Sequence, residues 1–141
     1  MNRFVVTLIA AAFAGPALAD SHVTGDAAAG EKGFKKCKAC HMIQAGDGTV
    51  ILKGGKTGPN LYGIVGQAAG AAEGYKYSKD FLTAGEAGLV WDEAQFTAYL
   101  QDPKKFLQEF LDDSSAKTKM SFRLKSGGED IFAYLDSVSG E

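Results

Sequence analysis

The pentapeptide Cys37-Lys38-Ala39-Cys40-His41 constrains this chain more than any other feature. Its spacing, C-x-x-C-H, is the attachment sequence of a c-type haem. Two thiols three residues apart can reach the two vinyl groups along one edge of a porphyrin, and the adjacent imidazole is then aimed at the iron from one face. Covalent links retain the cofactor without high intrinsic affinity. A chain wrapped around such a group needs less apolar core of its own, which suits a domain this small. The 18 glycines imply that much of it is loop.

Other uses of two cysteines fit less well. A dithiol oxidoreductase places C-x-x-C at a helix start after a buried strand, and no strand pattern precedes Cys37. Zinc needs further ligands, and there is no second C-x-x-C and no paired histidine. A Cys37–Cys40 disulfide closes a tiny loop and adds little stability. With 45% hydrophobic and 23% charged residues the chain is globular, not disordered, and 141 residues make one domain. A net charge of −2 gives no reason to expect nucleic-acid binding.

Residues 1–19 read as a secretory signal that is removed. Arg3 is the only charge before Asp20, Phe4 to Ala14 is apolar, and Ala17-Leu18-Ala19 presents small residues to a signal peptidase. The apolar run is about half the ~20 residues a membrane span needs. The expected product is residues 20–141, exported to the periplasm, with no membrane span. Export agrees with the haem motif, because this attachment occurs outside the bacterial cytoplasm.

Helix signals recur along residues 20–141. Asp26 can cap a helix running toward Cys40, with Gly30 and Phe34 one turn apart on it. Gly46 to Pro59 reads as loop, and Asn60 to Val65 as one short helical turn. Ser78 can cap Lys79 to Ala84, stopped by Gly85. Asp92 and Gln95 have capping-box spacing, with Trp91 and Phe96 placed as a hydrophobic staple. Asp102-Pro103 ends that helix and starts the next. Asp112 to Lys119 is polar loop. Ser126 to Glu129 again has capping-box spacing before Ile131, Phe132, Leu135 and Val138, which fall at helical intervals. No alternating strand is evident. The expected fold is all-α, short helices and long loops around one haem.

A second axial ligand can be sought by elimination. Met1 leaves with the signal, and Met42 directly follows His41 and cannot easily reach the other face of the ring. Met120 lies in a distant loop where the chain could wrap the cofactor. A core thioether is the plain alternative for Met120. His22 reads as a surface residue near the terminus, and a lysine ligand needs a depressed pKa. Lysines crowd two stretches, Lys32 to Lys56 and Lys104 to Lys125, while acids dominate Glu73 to Asp102. If the two stretches meet, one face is positive; ordinary solvated lysines are the alternative. Nothing suggests an extra apolar face, so a monomer is expected.

Taken in order, these motifs resemble the class I cytochromes c, and within them the large cytochrome c2 subgroup. The resemblance spans residues 20–141. It rests on Gly30, Phe34 and Cys37-x-x-Cys40-His41, then Lys56-Thr57-Gly58-Pro59-Asn60-Leu61 and Gly74-Tyr75-Lys76-Tyr77. Trp91, Tyr99-Leu100, Pro103-Lys104-Lys105-Phe106, Lys117-Thr118-Lys119-Met120 and Ala133-Tyr134-Leu135 follow. It implies that Cys37 and Cys40 form thioethers and that His41 and Met120 ligate the iron. The Pro59 carbonyl would orient His41. Tyr77 and Trp91 would bond a buried propionate, and Tyr99 would lie near the Met120 sulfur. Gly30, Phe34, Tyr134 and Leu135 would form the crossing of first and last helices.

The resemblance further implies a one-electron carrier, not an enzyme. Its donor would be a quinol–cytochrome c reductase (bc complex), and its acceptor a photosynthetic reaction centre or a terminal oxidase or reductase. Docking would use lysines around the haem edge, such as Lys36, Lys38, Lys56, Lys104, Lys105 and Lys119. A haem enzyme or gas-binding protein is the rival, and needs a labile sixth ligand. Gln67 departs from the family, standing where many relatives carry an arginine near the propionates. The loops after His41 and before Met120 are also longer than in the mitochondrial type.

Overall fold

In the computed structural model of the chain, four helices begin where a short polar side chain takes an otherwise unpaired backbone N–H. The residues described are 22–139, so the expected signal segment lies outside them. Helix α1 spans Ala27–Gly33, and Asp26 accepts from the amides of Ala28 and Ala29. Ser78 caps α2, Lys79–Glu86, through the amide of Phe81. Asp92 caps α3, Glu93–Gln101, through Gln95 N at 2.7 Å. Asp102 caps α4, Pro103–Phe110, with proline at its first position. Each cap contributes about 1 kcal/mol. The last helix, α5, spans Gly128–Ser139.

Helix α1 crosses α5 at Gly30. A Cβ there would lie 1.9 Å from the Asp130 carbonyl oxygen and 2.8 Å from Tyr134 Cβ, so only glycine permits this approach. Phe34, fully buried, meets Tyr134 with ring centres 5.6 Å apart. Helix α3 joins the same core through Phe96, whose ring lies 5.4 Å from that of Phe132. Burying Phe34, Phe132 and Leu135 contributes roughly 1.5–3 kcal/mol each. The Trp91–Phe96 staple forms, edge to face at 6.3 Å.

Four local expectations are corrected. The stretch after His41 is not all loop: β1, Ile43–Gln44, pairs antiparallel with β2, Val50–Leu52. Asn60 holds this hairpin, its amide side chain accepting from Gln44 N at 3.0 Å and donating to Gln44 O at 2.7 Å. Asn60 to Val65 forms turns and no helix. Gly85 does not stop α2; it lies inside the helix, where a Cβ would strike the Ala69 carbonyl oxygen at 2.0 Å. Gly88, at φ +96°, turns the chain beyond the helix end. Finally, α5 starts one residue later than a Ser126 cap places it, after Gly127 at φ +82°.

Candidate functional site

After α1 the chain tightens into a 3₁₀ turn, Phe34–Lys36, followed by turns through Cys40. The amides of Cys40 and His41 both bond the Cys37 carbonyl, at 3.1 and 3.0 Å. This winding brings Cys37, Cys40 and His41 to one cleft of about 330 Å³. Both thiols are free; Cys37 is half-buried and Cys40 exposed. Burial pushes the Cys37 thiol up to about 11, against the opposing pull of Lys36. A redox dithiol needs the reverse, a thiol lowered toward neutrality.

His41 is fixed from behind. Its Nδ1 lies 2.8 Å from the Pro59 carbonyl oxygen. A carbonyl only accepts, so Nδ1 carries the proton and Nε2 keeps a lone pair. Burial pushes the His41 pKa down and outweighs the upward pull of that bond, so the ring is held neutral. Gly58 closes against the same ring: a Cβ there would lie 2.4 Å from His41 Cε1. Gly54 and Gly55 similarly admit the backbone of residues 39 and 41, with Cβ positions 1.8 Å from His41 O and 2.1 Å from Ala39 O. The glycines ahead of Pro59, at positions 54, 55 and 58, were the available signal for this cradle.

The rest of the cleft comes from distant segments. Met120, half-buried, lines it, as do Pro59, Tyr77, Trp91 and Tyr99, so every expected site residue reaches one cavity. The Tyr99 hydroxyl is 2.8 Å from Thr118 Oγ1, two residues before Met120. Burial pushes Tyr99 up to about 12, despite that bond, so it stays protonated at neutral pH. Tyr77 and Trp91 also line a second, smaller cavity of about 250 Å³, together with Gln67 and Glu73.

Phe81 is the wall residue that sequence reading missed. It stacks on Tyr77 at 5.1 Å and touches Trp91 and Tyr99 at 6.0 and 5.8 Å. Its place as an aromatic hub depends on α2 docking, which no local pattern announces. One lysine of each lysine-rich stretch, Lys36 and Lys119, lines the cleft. Lys105 instead pairs with Glu109 on α4, 3.6 Å away and well exposed. The described residues include no helix long and apolar enough to cross a membrane.

No family model matches the chain. It is 53% identical to cytochrome c-551 of Roseobacter denitrificans over 141 aligned residues, covering 99% of this chain and 98% of that one. It is 52% identical to cytochrome c2 of Rhodobacter capsulatus, covering 94% and 97%. The X-ray structure of ferric cytochrome c-550 from Paracoccus versutus matches with a TM-score of 0.79 at 53% identity, covering 82% of this chain and 99% of that one. On this identity, coverage and shared fold, the chain belongs to the cytochrome c2 family of class I c-type cytochromes, electron carriers bearing covalently bound haem c.

Proposed function

We propose that the chain is a mobile periplasmic electron carrier in which Cys37 and Cys40 would hold haem c and His41 and Met120 would ligate its iron. One observation carries this reading. A single cleft collects two free thiols, an imidazole with Nε2 left available and a thioether from a distant loop. That donor set suits a covalently held haem, and the glycine cradle behind His41 suits a ring held in one orientation. When bound, the haem supplies reversible one-electron exchange between Fe(III) and Fe(II).

The chain's own residues do the rest. Pro59 sets the tautomer and orientation of His41. Phe81, Trp91 and Tyr99 form an apolar wall that excludes water, and a dry thioether-ligated site favours a raised potential. Tyr77 and Trp91, shared between the two cavities, face the side assigned to the propionates, with Gln67 beyond them. Lys36 and Lys119 mark the mouth, and Lys38, Lys56, Lys104 and Lys105 are assigned to the surrounding docking face. The donor is then a bc complex, and the acceptor a photosynthetic reaction centre or a terminal oxidase or reductase. Residues 1–19 direct export and are removed.

Met120→Ala in cells that attach haem tests the ligand set. The variant is expected to keep covalent haem, turn high-spin and bind CO when reduced. An unchanged low-spin spectrum contradicts the assignment. Association with a bc complex should weaken as salt rises, and a salt-insensitive complex contradicts lysine docking.

A further inference from the structure

The loop that carries Met120 is held by one short segment, residues 75–80, whose Tyr75, Tyr77 and Ser78 also line the cleft. The Lys117 amide donates to Asp80 Oδ2 at 2.8 Å, and the Ser78 hydroxyl donates to the Lys117 carbonyl at 3.1 Å. Lys119 Nζ donates to the Lys76 carbonyl. The same ammonium stands 5.4 Å from the centre of the Tyr75 ring, within cation–π reach. Between these two lysines, Thr118 turns inward and bonds the Tyr99 hydroxyl. The loop is thus tied alternately to residues 76–80 and to Tyr99, and Met120 is the next residue.

The holding segment is itself anchored. Ser78 caps α2, Tyr77 stacks face to face on Phe81, and Phe81 and Ala84 are buried. The tied loop has no secondary structure of its own. It can leave the cleft only by breaking the Lys117–Asp80 bond and the tether from Lys119 to Lys76 and Tyr75. Those contacts are exposed to solvent, which places them in the part of a fold that opens locally before the core does.

We propose that residues 75–80 form a clasp that sets how readily the Met120 loop opens, with Asp80 and Lys119 as positioning residues for Met120. This rests on Met120 being the axial ligand. Asp80 acts as a hydrogen-bond acceptor for the loop, and Lys119 as a double tether to a carbonyl and an aromatic face. Asp80 is not part of the cleft lining, whereas Lys119 is.

The test uses the ferric holoprotein and the pair Asp80→Ala and Asp80→Asn. Both remove the charge from the first turn of α2, but only the asparagine keeps an acceptor oxygen. Two quantities are read: hydrogen exchange at the Lys117 amide, and the rate at which saturating imidazole displaces the sixth ligand. Asp80→Ala is expected to raise both about five-fold, the scale of one exposed hydrogen bond. Asp80→Asn should stay within about two-fold of the parent on the same scale. Lys119→Ala should accelerate imidazole entry by a similar factor, and it carries the test if Asp80→Ala does not fold. Equal effects of the two Asp80 variants overturn the acceptor role. Unchanged exchange and entry in Asp80→Ala and Lys119→Ala overturn the clasp, while a far-red methionine-to-iron band in the parent leaves the axial assignment standing. A parent without that band overturns the axial assignment, and the clasp with it.

Discussion

Replacing Gly58 by alanine should damage the site through the back of the histidine. The added Cβ would sit 2.4 Å from His41 Cε1, 2.7 Å from Nδ1 and 2.9 Å from Nε2. All three are inside any tolerable contact, and the neighbour is a rigid ring, not the end of a flexible chain. The ring cannot swing away without stretching its 2.8 Å bond to Pro59. The loop cannot retreat freely either, because the Gly58 amide bonds the Cys40 carbonyl at 2.9 Å. Overpacking of this kind costs about 1–3 kcal/mol. Loss of the Nδ1–Pro59 bond adds about 1 kcal/mol. The sum is about 3 kcal/mol, which for a domain of this size lowers the melting temperature by roughly 10 °C. A weaker bond from Nδ1 also makes the imidazole a poorer donor to iron, so the reduction potential should rise.

The assay is thermal unfolding of the holoprotein with a parallel redox titration. Gly46→Ala is the matched control, since nothing lies within 4 Å of the Cβ position there. It should leave both quantities unchanged, or add up to about 1 kcal/mol of stability through the unfolded chain. A Gly58→Ala protein that melts and titrates like the parent would refute the idea that this glycine seats the histidine.

Three further outcomes are expected. Gly30→Ala should force α1 from α5, because its Cβ meets the Asp130 backbone at 1.9 Å; a loss at or beyond the ~3 kcal/mol end of overpacking is expected by urea unfolding. Asp92→Ala should cost about 1 kcal/mol and Asp92→Asn much less, read the same way, because the asparagine oxygen can still accept from Gln95 N. Glu93 supplies the pH dependence. Burial pushes its carboxyl up, but bonds from Thr24 and Gly25 and the nearby His22 outweigh this and hold it below the usual value. Its contribution is therefore complete above the unfolded value of about 4.3 and is lost as pH falls through the lower folded value. Urea midpoints between pH 6 and pH 3 should fall more steeply for the parent than for Glu93→Gln.

The features legible in the sequence are those whose cause is local. Asp26, Asp92 and Asp102 announce their helices because a capping side chain reaches an amide two or three residues away. The C-x-x-C-H run and the spacing of Ile131, Phe132 and Leu135 are equally self-contained. The hairpin escaped notice because strands of two and three residues are too short to alternate, and Asn60 supports them from outside. Gly85 reads as a helix stop but is a contact residue, made necessary by Ala69 on another segment. Within the site, the chemistry-bearing residues were readable by type. Phe81 and the tether from Asp80 were not, because their meaning depends on which distant segment arrives beside them.

The central claim is one covalent haem on Cys37 and Cys40, ligated by His41 and Met120. Absorption spectra of the purified protein, oxidised and then reduced, together with a pyridine haemochrome, test it most directly. One c-type haem per chain is expected, low-spin in both states, with a weak far-red methionine-to-iron band when oxidised and no CO binding when reduced. A high-spin haem that takes CO at once would contradict the Met120 ligand and favour a haem enzyme or gas-binding protein. A protein without haem, purified from cells able to attach it, would contradict the account as a whole.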